Sequence, residues 1–193
     1  MLTIHKYNEP MQRHAKCLCL LALASLLMLR ADVTGCHCDV TSASDMAQRC
    51  CSLCAVAEQQ PAYMNVFFLK DSNPTKPNRI LALPRAHGPG EHLLSLLSVE
   101  TRVELWSAAI ARAQEAWGNK WGIAMNGVKN RTQCHTHLHI GKLLDNNEQE
   151  KFIVVNGPED IPVPPDGSGI FVHPAGGKLH VHFEDAPEKW LMR

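Results

Sequence analysis

The sequence predicts an α+β chain, an antiparallel meander sheet with one long amphipathic helix packed across it. Three observations predict it: short apolar or β-branched runs at 66–70, 79–83, 122–125 and 134–140, helical periodicity over 98–117, and a length of 193 residues. That length suits one compact core carrying extra ends. In the helix, Val99, Val103, Trp106, Ile110, Ala113 and Trp117 recur at helical spacing and Gly118 follows as a stop, which makes them core positions. Asp71-Ser72-Asn73-Pro74 is a turn sequence between the first two runs. The expected organisation is an export segment with a Cys-rich linker over 1–49, a catalytic domain over 50–145 and an extension over 146–193. Pro162, Pro164 and Pro165 make that extension a lid or a set of edge strands.

Charge narrows the partners. Lys and Arg number 19 and Asp and Glu number 19, so the chain lacks the basic excess that a nucleic acid polymer requires, whereas a nucleotide remains acceptable as a small substrate. Near the start, Arg13 and Lys16 precede an apolar run at 17–29, shorter than the roughly 20 residues of a membrane span and patterned like a secretory signal. The expectation is an exported protein, periplasmic or membrane-anchored, with possible association with a membrane surface. Val33-Thr34-Gly35-Cys36 reads as a lipobox that would acylate Cys36, although Arg30 and Asp32 intrude between run and box. An amphipathic or uncleaved N-terminal anchor is the alternative.

The chain has 8 cysteines, and Cys36, Cys38, Cys50, Cys51 and Cys54 crowd into one short segment. Such crowding means disulfides or metal: an oxidising compartment favours the first, and the CxxC spacing of Cys51-Ser52-Leu53-Cys54 suits a structural zinc. Cys134 is expected on the strand face opposite the neighbouring histidines, as a small core residue.

The chemistry concentrates in Cys134-His135-Thr136-His137-Leu138-His139-Ile140. On an extended strand, His135, His137 and His139 point from one face while Thr136, Leu138 and Ile140 turn to the other. At about 3.3 Å per residue the outer two α-carbons lie roughly 13 Å apart, too wide for three rings to close on one tetrahedral ion. Catalysis fits better. His137 can attack an electrophile through one nitrogen if a backbone carbonyl holds the other, and His135 and His139 flank it as donors. Phosphorus is the natural electrophile, because flanking N–H groups and Arg131 can stabilise the charge on its non-bridging oxygens. No GxxxxGK[ST] cradle is present, so the phosphate is expected to be activated already, as an anhydride. A second histidine group, His173, His180 and His182, invites a metal hypothesis, but a solvated or substrate-lining strand is the preferred reading there.

From His135 to Gly141 the chain resembles the histidine triad (HIT-like) superfamily of nucleotide hydrolases and transferases, whose signature is His-φ-His-φ-His-φ-φ with φ apolar. Thr136 is a polar φ and Gly141 a weak final one. The resemblance implies that His137 becomes covalently nucleotidylated, and His139 at the third position aligns the chain with the hydrolases. Upstream, the run 80–87 looks like the family's strand ending in Pro-basic-x-His at Pro84, Arg85 and His87, and Met125-Asn126-Gly127 resembles its phosphate-contacting Asn. Asn126, Arg131, Thr132 and Gln133 in their spacing to the triad are similar to the CDP-diacylglycerol diphosphatase branch, as is Phe67-Phe68-Leu69-Lys70-Asp71. The likeness covers residues 50–145. It also implies that Cys51 and Cys54 can be joined by His87 and His135 in a zinc site, and that the chain can form a homodimer through a shared sheet.

The resulting expectation is a hydrolase of phosphoric anhydrides that needs no cofactor for catalysis. His137 is the nucleophile, His135 and His139 bind the non-bridging oxygens, Asn126 and Arg131 orient the phosphates, Thr132 or Gln133 serves the leaving oxygen, and His87 supports the triad or ligates zinc. The substrate is expected to be CDP-diacylglycerol or a related nucleotide conjugate. Two alternatives are a hydrolase of soluble dinucleoside polyphosphates or nucleoside phosphoramidates, and an exported, non-catalytic nucleotide- or metal-binding protein. A metalloenzyme centred on His173, His180 and His182 is a further alternative.

Overall fold

Alternation of apolar and polar side chains sets the sheet, and a single helix closes one of its faces. The computed structural model describes residues 32–33, 35–49, 51–86, 93–145, 150–164 and 167–193. The leader at 1–31, Thr34, Cys50 and His87 therefore lie outside the described residues, and with them the export signal, most of the lipobox context and one expected zinc ligand.

Two short helices, α1 (Ala43–Gln48) and α2 (Ser52–Glu58), precede the strands β1 (Val66–Lys70) and β2 (Ile80–Pro84). Helix α3 (Val99–Trp117) follows, then β3 (Trp121–Met125), β4 (Leu138–Lys142), β5 (Ile153–Val155), β6 (Ile170–Ala175) and β7 (Lys178–Phe183). The Ser98 hydroxyl accepts from the Thr101 N–H to start α3, and Gly118 ends it with φ 58°, a conformation that costs glycine little.

The strands form one antiparallel sheet in the order β1-β2-β4-β3-β6-β7-β5. The fold is α+β, as expected, but the order is not a simple meander, because β4 inserts between β2 and β3. Strands β5 to β7, from the expected extension, continue the same sheet beyond β3. On the inner face Ala82, Ile123, Met125, Leu138, Ile140, Ile170, Val172 and Val181 pack against Leu105, Trp106, Ala109, Ile110 and Ala113 of α3. The sheet's outer face carries His139, Ala124, Phe171 and His182 in one register row across four strands.

The C-terminal residues run over that outer face. Leu191 bridges Leu143, Met192 N–H donates to Lys142 O, and Leu144 N–H donates to Trp190 O. Two glycines make the seat. A Cβ on Gly122 would lie 2.6 Å from Leu191, and one on Gly141 would lie 3.0 Å from the Arg79 side chain. At position 141 Arg79 and Leu191 occupy the space that a side chain would need.

Candidate active site around His137 and His139

The triad strand is shorter than its alternation predicts. β4 begins only at Leu138, so His135 and His137 precede it. Other bonds hold this stretch. Cys134 forms a disulfide with Cys36, His135 N–H donates to Cys51 Sγ at 3.3 Å, and the His135 ring bonds Pro84 O through Nε2 at 2.7 Å. These tie the segment to β2 and to the Cys-rich region in place of a ladder. The disulfide corrects the reading of Cys134 as a plain core residue, and it leaves Cys36 no sulfur for a thioether-linked acyl chain.

His137 is 5% exposed, and its Nδ1 lies 2.7 Å from His135 O. A carbonyl only accepts, so the ring donates from Nδ1 and the lone pair falls on Nε2. Burial, reinforced by the fields of His139 and Arg131, pushes the His137 imidazole down to about 3 and keeps it neutral. Its ring meets that of His139 edge-on at 5.0 Å. Arg131 is 2% exposed, and burial lowers its guanidinium to about 10 while the nearby Cys51 charge opposes that shift.

His139 Nδ1 faces two carboxylates, Asp71 at 3.6 Å and Glu188 at 3.5 Å. The imidazole beside Asp71 holds its carboxyl down at about 2. Burial works against the Glu188 charge, but His139, Lys76 and Asn126 outweigh it and keep this carboxyl below its usual range. Glu188 pairs with Lys76 and accepts from Arg79 Nη1 at 3.0 Å and from Asn126 Nδ2 at 3.0 Å. The rest of the Arg79 guanidinium donates to the carbonyls of Met192, Leu191 and Glu188.

The expected site residues therefore divide. His137 and His139 come together, with Arg131 acting on His137 through its field. Asn126 is spent on the C-terminal segment, since its carbonyl oxygen also accepts from Glu188 N–H at 3.2 Å. Gln133 Oε1 accepts from Ser52 N–H at 2.9 Å and caps the start of α2, while Thr132 is exposed. Asp71, Lys76, Arg79 and Glu188 went unread as site residues. Nothing local marks them, since they meet only through the strand order and the return of the chain end.

Beside the triad, the sulfurs of buried Cys38, Cys51 and Cys54 lie within 4.8 Å of one another. A hydrogen bond from the Cys54 thiol, with backbone N–H groups, draws Cys51 down to about 5, and the same contact pushes Cys54 up. Three sulfurs at this spacing are close enough to ligate one metal ion. His173 and His182, expected on a solvated or substrate-lining strand, are instead buried, with Nε2 atoms 3.0 Å apart, and His180 stacks on Phe152 with ring centroids 4.1 Å apart.

No protein-family model matches the chain, and no curated protein matches it. What the site does is accordingly read from its own geometry.

Proposed function

We propose that the protein is a HIT-like phosphohydrolase that cleaves a pyrophosphate-linked nucleotide through a nucleotidyl-histidine intermediate. The observation that carries this is the bond from His137 Nδ1–H to the carbonyl of His135 at 2.7 Å, which leaves Nε2 of this buried ring unprotonated, the tautomer a nucleophile needs. In the first step Nε2 attacks the nucleotide phosphorus, an N–P bond forms, and the P–O bond to the second phosphate breaks with the electron pair leaving on that oxygen. Water then attacks the phosphoramidate, the N–P bond breaks, and a nucleoside monophosphate departs as water's proton returns to solvent.

Arg131 stabilises the charge that develops on the non-bridging oxygens, and His139 binds them from the adjacent strand position. His135 takes a supporting role, since its Nε2 already bonds Pro84 O. The Gln133 carbonyl oxygen is committed to α2, so Thr132 is the group for the leaving oxygen. CDP-diacylglycerol or a related conjugate is the substrate class that the loop residues suggest, with phosphatidate or its counterpart as the second product.

The Cys36–Cys134 disulfide supports an exported setting. Among the described residues no helix is long and apolar enough to cross a membrane. If zinc is bound, Cys38, Cys51 and Cys54 are its fitting donors: three soft sulfurs, one of them already favoured as thiolate. Its role would be to hold the N-terminal segment against the triad, outside the chemical steps.

The test is incubation of the purified protein and its His137→Ala variant with pyrophosphate-linked nucleotides, CDP-diacylglycerol included, read by intact mass and released monophosphate. A transient nucleotidyl adduct with monophosphate release, absent from the variant, is expected. No adduct and no release would turn the reading toward a binding protein.

A further inference from the structure

One cavity of about 480 Å³ opens against the third triad histidine's carboxylate partner, lined by Lys76, Arg79, Lys189, Arg193 and Asn126, with Glu188 as its one acid. Lys76, Arg79, Lys189 and Arg193 outnumber the two carboxylates that face His139, Glu188 and Asp71, even with Lys189 also paired to Glu184. Glu188 is gripped as a phosphate would be: Lys76 and Arg79 Nη1 on one oxygen, Asn126 Nδ2 on the other, and His139 Nδ1 at 3.5 Å. Arg and Lys recognise phosphate oxygens by this same combination of charge and directed N–H groups.

We propose that this cavity is a binding site for a phosphate group of the substrate, and that the Glu188 carboxylate is its resident surrogate, displaced when the phosphate enters. The inference rests on the hydrolase reading for the identity of the phosphate, the one that departs when His137 attacks its neighbour. A phosphate carries more charge than a carboxylate and has a third oxygen to offer, so it can also accept from Arg193 in the cavity lining, while Lys189, paired with Glu184, adds its charge. The C-terminal turn at Pro187–Trp190 is short and lies at the surface of the sheet, which lets one side chain swing away while Arg79 keeps its bonds to the carbonyls of Leu191 and Met192. Arg79, 2% exposed, is the fixed wall of the site and Glu188 its exchangeable occupant.

The experiment is calorimetric titration of the whole chain with inorganic pyrophosphate and, separately, with inorganic phosphate. Two variants accompany it, Lys76→Met and the near-isosteric Glu188→Gln, each checked for an unchanged circular dichroism spectrum and melt. Pyrophosphate binding is expected to weaken at least tenfold in Lys76→Met and to tighten severalfold in Glu188→Gln. Affinity unmoved in both variants, or weakened in Glu188→Gln, overturns the site. Tight inorganic phosphate that does not compete with the nucleotide overturns its assignment to the substrate. The titrations require no turnover, so the expected pattern without hydrolysis would overturn the hydrolase reading alone, and hydrolysis with flat titrations would overturn this one alone.

Discussion

His137 flanks one half of the sheet, just before β4, and His182 belongs to the other, on β7, and up to a point the fold treats them alike. Both are buried, both sit in a His-x-His pair, and both turn Nδ1 to a backbone carbonyl, His135 O at 2.7 Å and Lys151 O at 3.0 Å. Nε2 separates them. At His182 it meets His173 Nε2 at 3.0 Å with ring planes 15° apart, and His173 Nδ1 lies 3.3 Å from Pro174 O. A carbonyl only accepts, so His182 donates from Nδ1 and its Nε2 lone pair accepts from His173 Nε2–H. The second nitrogen of His182 is thus spent on a neighbouring ring, whereas that of His137 is the one we propose to attack phosphorus. The shared spacing says little; what the second nitrogen meets decides the chemistry.

Removing each ring separates the two most sharply. His137→Ala is expected to lower turnover by at least three powers of ten while the circular dichroism spectrum stays native, and His182→Ala to keep turnover within severalfold but lose about 2–4 kcal/mol of stability. Paired assays of kcat and chemical denaturation check both. Equal losses of turnover in the two variants would erase the distinction.

Acid probes the same contrast through stability. Burial first, then its charged neighbours, holds His137 at about 3, against about 6.5 for an unfolded histidine. Between those values the unfolded chain binds the proton and the folded chain does not. The contribution is therefore fully present above pH 6.5 and shrinks as pH falls, by on the order of 5 kcal/mol at pH 3. Denaturant midpoints from pH 7 to 3.5 should fall less steeply in His137→Asn than in the parent. Turnover should likewise show no acid limb near 6.5; a limb there would mean that His137 titrates as a solvated ring.

The α+β class, helix α3 with its Gly118 stop, and the four strands β1 to β4 were legible from periodicity and turn signals, because burial on one face imposes that periodicity. So was the pairing of His137 with His139. The insertion of β4 between β2 and β3 was not, since strand order leaves no local trace. The triad's start escaped for a different reason: His135 and His137 alternate like strand residues, but a disulfide and bonds to Cys51 and Pro84 hold them off the ladder. Glu188, Lys76 and Arg79 are more than a hundred positions apart at the extremes, and only the chain's return over Gly122 and Gly141 unites them.

That off-ladder anchoring distinguishes the two halves again, and severing it should show. The Cys36–Cys134 bond closes a loop with a sequence separation of 98 beside the triad, whereas ladder bonds hold β6 and β7 together. Cys36→Ser is expected to cost about 2–4 kcal/mol, chiefly by releasing the unfolded chain. Hydrogen exchange should quicken at 134–137 and stay unchanged at 170–183. Equal quickening in both regions would mean that the bond secures the whole sheet and not the triad's flank.

The smallest expected effect decides what Gln133 does. Its carbonyl oxygen accepts from Ser52 N–H at 2.9 Å and Ser52 Oγ at 3.2 Å, reaching α2 from a loop 81 positions away. A cap of this kind is worth about 1 kcal/mol. If capping is all it does, Gln133→Ala loses that much stability and leaves kcat within twofold, because α2 is held as well by the burial of Leu53, Cys54 and Ala57. A leaving-group role predicts the reverse, a fall in kcat of tenfold or more with stability nearly intact, and that fall should vanish for a substrate whose leaving group needs no proton. Since Oε1 is already occupied, only the amide nitrogen could act on a substrate, and an amide donates a hydrogen bond without giving up its proton. The cap is therefore the expected answer.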